Sequence, residues 1–153
     1  MESERPVAIF RDPFARIGAE SKNALVVSEG LLIYLSSTEV TGLAEALAAA
    51  LTFKFWLTDL ASNRLLKMMN RMWGKSAAAA SAPFPFGPEN GTVFVEPSGW
   101  REKEWHSMGD DSKRLNRQMR MAWLWRALGA FAGKKNKEMW HRFSGATLLE
   151  RAP

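Results

Sequence analysis

The sequence predicts an α/β fold, and three observations carry that expectation. Apolar runs of strand type stand at Ala24–Ser28 and Phe53–Leu60. Between them Val40, Leu43, Ala44, Leu47 and Leu51 recur at helical spacing. A last strand-like run covers Phe143–Arg151. Helices between consecutive strands imply parallel pairing with right-handed crossovers.

The elements follow in order. Val7–Phe10 reads as a short strand, and Asp12-Pro13 as a helix start, with Asp as cap and Pro at the first helical position. Phe14 and Ile17 then share a face. Ala24–Ser28 is continuous, apolar and β-branched at Val26 and Val27, the pattern of a buried strand. Ser36 with Glu39 three positions on forms a capping box, so Ser37 to about Leu51 is a helix. Phe53–Leu60 is the second strand.

Ser62 caps a further helix with an apolar stripe of Leu65, Met68, Met69, Met72 and Trp73, ended by Gly74. Such a stripe is core packing. Lys75–Pro88, rich in Ala, Pro and Gly, reads as a loop, and Asn90-Gly91 as a tight turn. Thr92–Glu96 is extended or helical. Trp100–Ser107 reads as a strand, Asp110 to about Ala132 as a helix, and Phe143–Arg151 as the final strand.

With 153 residues, 46% apolar and 24% charged, the chain suits one soluble domain. No apolar run approaches the roughly 20 residues that cross a bilayer, and no signal core follows the charged start, so a cytoplasmic location is expected. The absence of cysteine excludes disulfides and thiolate zinc sites. The only histidines, His106 and His141, lack metal-ligand spacing, so no metal is expected. Both read as ordinary surface or packing histidines.

The net charge is +5. Asp110–Arg142 holds nine Lys/Arg against three acids, an excess larger than that of the whole chain. Within it, Arg117–Phe131 is basic, amphipathic and rich in Trp. It suits packing over a pocket, with an interaction module as the rival reading. No recognition motif for nucleic acid is visible.

Ligands of parallel α/β sheets bind beyond the carboxyl ends of the strands. Glu29 and Gly30 follow the first clear strand, and Asp59 closes the second. A carboxylate there can accept hydrogen bonds from a ligand ammonium or hydroxyl. Gly30 lets the backbone turn sharply or a ligand approach closely. Tyr34 adds an apolar face with a polar tip. From position alone, Asp59 also reads as a helix-proximal cap and Glu29 as a solvated loop acid.

The stretch Val26-Val27-Ser28-Glu29-Gly30-Leu31-Leu32-Ile33-Tyr34-Leu35 resembles the Glu-Gly-Leu-Leu-x-Tyr-Leu motif of the leucine carboxyl methyltransferase family. The resemblance continues through the segments Phe53–Ser62, Phe86–Gly91, Glu96–Glu102 and Phe143–Arg151. It implies a Rossmann-like methyltransferase fold and S-adenosylmethionine as cofactor. Ser28, Glu29, Gly30, Leu31 and Tyr34 are then expected beside the methyl donor. Asp59, Phe86, Glu89, Asn90, Glu96 and Trp100 are expected toward a small-molecule or carboxylate-bearing substrate.

The family's glycine-rich loop and ribose-binding acid have no counterpart, and no Gly-x-Gly occurs. The chain therefore looks like the C-terminal half of such a domain: a single partial domain over 1–153, with 24–153 as its family-like region. A first-strand neighbour for Ala24–Ser28 is then missing. Self-association through that exposed sheet edge is expected, unless Val7–Phe10 folds back over it.

Overall fold

The computed structural model describes residues 5–79, 84–115 and 141–152. Their order is α1 (Arg5–Glu20), β1 (Ala24–Ser28), a 3-10 turn at Leu32–Tyr34, α2 (Ser37–Ala49), β2 (Phe53–Ala61) and α3 (Asn63–Ala79). A 3-10 helix at Gly91–Ser98 leads into β3 (Trp100–Ser107), then α4 (Met108–Arg114) and β4 (Ser144–Arg151). The architecture is α/β: a mixed four-stranded sheet with flanking helices, compatible with a Rossmann-like fold.

The sheet order is β1-β2-β4-β3. β1 and β2 run parallel, joined by the α2 crossover. β4 inserts between β2 and β3 and is antiparallel to both. This corrects the expectation of parallel pairing throughout. A strand's direction is set by where its chain enters the sheet, and local patterning carries no record of that.

Sequence signals hold where the cause is local. Ser36 and Glu39 form the full capping box, with Ser36 N–H donating to Glu39 Oε2 at 2.7 Å and Glu39 N–H to Ser36 Oγ at 3.3 Å. The bonds from Ser36 hold the Glu39 carboxyl below its ordinary pKa. Ser62 caps α3, accepting from Leu65 N–H at 3.2 Å.

Three local expectations change. Val7–Phe10 is part of α1 and not a strand, and α1 begins before Asp12 and carries Pro13 inside. A four-residue apolar run suits either element, and only length decides. Gly74 does not end α3, because the alanines after it have the highest helix propensity and outweigh one glycine. Among the described side chains of α3 Leu66 is buried and Met68 is 39% exposed, while Met72 and Trp73 of the predicted stripe lie outside them. Thr92–Glu96 resolves as part of a 3-10 helix. The predicted helix from Asp110 to Ala132 lies outside the described residues beyond Leu115.

The core sits between the sheet and α2. Val40, Leu43, Ala44 and Leu47 of α2 cluster with Phe53 and Trp56 of β2, Trp100 of β3 and Leu149 of β4. Trp56 and Trp100 are fully buried and meet edge to face, ring centroids 5.7 Å apart. Such a contact adds roughly 0.5–1.5 kcal/mol beyond area burial. Trp100 Nε1–H donates to Ala44 O at 2.9 Å, so its polar atom costs nothing on burial. α1 lies against α2, with Phe14 edge-on to Phe53 at 6.0 Å.

Candidate functional site

The parallel pairing of β1 and β2 brings their carboxyl ends to one edge of the sheet. β4 starts and β3 ends at the same edge, where Ala61 faces Ser144 and Ser107 faces Gly145. Three side chains lock the two parallel strands together there. Trp56 Nε1–H donates to Ser28 Oγ at 2.9 Å, and Ser28 Oγ–H donates to Thr58 Oγ1 at 2.9 Å. Ser28 is therefore committed to the protein's own network.

The next residues turn outward. Gly30 has φ 62°, the left-handed region that glycine adopts without strain, and a Cβ built there meets nothing within 4 Å. Its N–H donates to Asp59 Oδ1 at 2.7 Å, which fixes the loop after β1 onto the end of β2. Glu29 is exposed and has no hydrogen-bond or ion-pair partner among the described residues. Leu31 is 41% and Tyr34 52% exposed, and the Tyr34 ring rests on Phe84 at 5.6 Å. Ser28, Glu29, Gly30 and Asp59 thus meet at one strand edge, with Leu31 and Tyr34 just beyond.

A cavity of about 690 Å³ opens beside this edge. Leu60, Ala61, the start of α3 at Asn63, Arg64 and Lys67, and the turn Pro88–Val93 line it together with Trp105 and Arg142. Its volume is in the range of small-molecule sites. Glu89 and Asn90 belong to it, and Glu89 Oε1 accepts from Asn63 Nδ2 at 2.9 Å.

Glu102 of β3 organises the cavity's far wall. Its two carboxylate oxygens take a fork from Arg142, at 2.6 and 2.8 Å, and Oε2 also accepts from Thr92 Oγ1 at 2.7 Å. The Arg142 bonds hold Glu102 below the ordinary glutamate range, against the opposing effect of partial burial. The same bonds raise the Arg142 guanidinium. Arg142 lies over the Trp105 ring at 4.8 Å, and Trp105 Nε1–H donates to His141 O at 3.1 Å. Gly145 permits this arrangement, since a Cβ on it runs into the His106 carbonyl oxygen of β3 and meets the Trp105 indole at 2.7 Å.

The remaining candidates lie elsewhere. Phe86 is buried against Phe94 and Trp100 is buried beneath α2, both as core. Glu96 is exposed on the 3-10 helix, and its carboxylate has no partner among the described residues. Sequence reading missed Asn63, Arg64, Lys67, Trp105 and Arg142 as cavity residues. The basic excess of the C-terminal third pointed toward Arg142, but nothing local joined it to the start of α3.

Among the described residues no three His, Cys, Asp or Glu side chains cluster as metal ligands, and no helix is long and apolar enough to cross a membrane. Comparison with protein-family models and with curated proteins found no match.

Proposed function

We propose that residues 24–152 act as the C-terminal part of an S-adenosylmethionine-dependent methyltransferase domain, transferring a methyl group to a carboxylate or hydroxyl oxygen. The supporting observation is the Glu29-Gly30 turn, pinned to Asp59 where ligands of parallel α/β sheets bind. Glu29 offers a carboxylate with no partner among the described residues, and a Cβ built on Gly30 meets nothing within 4 Å. These features suit the ammonium and backbone-sized end of the methyl donor. Leu31 and Tyr34 are exposed next to them and give apolar contact.

S-adenosylmethionine, when bound, supplies an activated methyl group. In this reading Glu29 accepts hydrogen bonds from the donor's ammonium, and Gly30 lets the wall come close. The cavity lined by Leu60 and Ala61 at the end of β2 holds the acceptor. An ionised carboxylate acceptor is already nucleophilic, so in-line positioning carries the rate. The sequence has no glycine-rich loop to grip the rest of the donor. Binding then rests on the Glu29 wall and is weak.

Calorimetric titration of the chain with S-adenosylmethionine and with S-adenosylhomocysteine tests the reading. Saturable heat for both ligands, reduced in Glu29→Ala, supports it. No binding at millimolar ligand by a folded chain refutes it.

A further inference from the structure

The free edge of β1 has a pairing register built into it. Ala24 N–H donates to Thr52 O at 2.8 Å, toward β2. Along an extended strand, successive residues direct their N–H and C=O groups to opposite sides. Ala24, Val26 and Ser28 therefore address β2. The N–H and C=O groups of Leu25 and Val27 point the other way. Among the described residues β1 pairs with β2 alone. The register with β2 shifts between Ala24 and Leu25, where Phe53 and Phe55 are the successive partners, so the extra residue, Lys54, lies on β2 and the burial of β1 itself alternates throughout.

The same two residues expose their side chains. Leu25 is 54% and Val27 61% accessible. No charge, proline or glycine lies within Ala24–Ser28, so the strand's own residues carry neither charge nor proline protection of its edge. The nearest charges are Lys22 before the strand and Glu29 after it, both exposed and of opposite sign.

We propose that β1 is a dimerisation edge, pairing antiparallel with β1 of a second copy of this chain about a two-fold axis at Val26. This register sets Leu25 opposite Val27 of the other copy, twice. Each pair exchanges both N–H···O bonds, so every free amide group of Leu25 and Val27 finds a partner. Val26 meets its own copy at the close, non-hydrogen-bonded position. Leu25 and Val27 share a face and cover one another.

The charges select the direction. Antiparallel pairing carries the Lys22 end of one strand to the Glu29 end of the other. Parallel pairing sets like beside like. A single two-fold meets all these demands with identical strands, which makes a second copy the fitting occupant. Two four-stranded sheets become one continuous sheet across the axis. The proposal rests on the β1 edge and not on the methyl-transfer reading, in which the same edge would take the first strand of the domain.

The chain has no cysteine, which allows a direct test of the register. At the non-hydrogen-bonded position Cα atoms are about 4.5 Å apart, within disulfide reach. Val26→Cys is expected to give a covalent dimer on mild oxidation. Leu25→Cys, whose copies are diagonal at roughly 7–8 Å, is expected to cross-link far less.

Light scattering at tens of micromolar should read a dimer for the unaltered chain. Val27→Pro removes only an edge N–H, and Val27→Lys places a charge on the edge. Each should weaken the dimer at least about tenfold with unchanged circular dichroism. A monomeric unaltered chain overturns the proposal. So does a dimer untouched by whichever Val27 variant folds, or Leu25→Cys cross-linking as readily as Val26→Cys.

Discussion

The backbone N–H of Gly30 donates to Asp59 Oδ1 at 2.7 Å, joining residues 29 positions apart at the ends of two parallel strands. That bond converts two strand ends into one wall. Asp59→Ala removes the acceptor at an exposed position and should cost about 1 kcal/mol of unfolding free energy. Asp59→Asn keeps a carbonyl oxygen in place and should retain most of it. Urea denaturation reads both, and a neutral Asp59→Ala would show that the turn is held by other means.

Gly30 and Gly145 separate two kinds of glycine. At Gly30 an added Cβ meets nothing within 4 Å, but φ is 62°. Gly30→Ala should therefore lose about 1 kcal/mol from backbone strain alone. At Gly145 a Cβ runs into the backbone carbonyl oxygen of His106 first, and then meets the Trp105 indole at 2.7 and 2.9 Å. Gly145→Ala should cost more, up to roughly 3 kcal/mol of overpacking, and should disturb the cavity wall. Equal denaturation midpoints for the two variants would contradict this assignment.

Glu102 gives stability an acid dependence. Arg142 lowers its pKa in the fold, so the unfolded chain takes up the proton more readily. The pair's contribution is complete above the ordinary glutamate value of about 4.3 and is lost as pH falls through the lowered folded value. The Arg142 side chain is 52% exposed, so solvent screening keeps the contribution within about 1 kcal/mol. Glu102→Gln should be less stable at neutral pH and should converge with the unaltered chain in acid. A gap that stays constant down to strong acid would assign it to lost packing.

Glu29→Ala addresses the proposed donor site. Losing a charge-assisted hydrogen bond should weaken S-adenosylmethionine by about 1–3 kcal/mol, read by calorimetry. Glu29 has no internal partner among the described residues, so folding stability should not change. Without a glycine-rich loop, turnover well below about 1 per second is expected of the chain. Faster formation of S-adenosylhomocysteine would contradict the weak-site reading.

The sequence by itself determined the elements whose causes lie within a few residues. The Ser36–Glu39 box, the Ser62 cap, the strands β1, β2 and β3, and the Glu29-Gly30 exit from β1 are all of this kind. Each depends on neighbours close along the chain, and residue order records such neighbours. The tertiary structure decided the rest. It turned Val7–Phe10 into helix and inserted β4 antiparallel between β2 and β3. It buried Trp100 beneath Ala44, and it gathered Asn63, Glu89, Trp105 and Arg142 around one cavity. Those outcomes depend on which distant segments compete for the same apolar face and hydrogen-bonding edge. That competition is settled only when the sheet closes, because a buried side chain or an unpaired strand gains its free energy from partners far away in sequence.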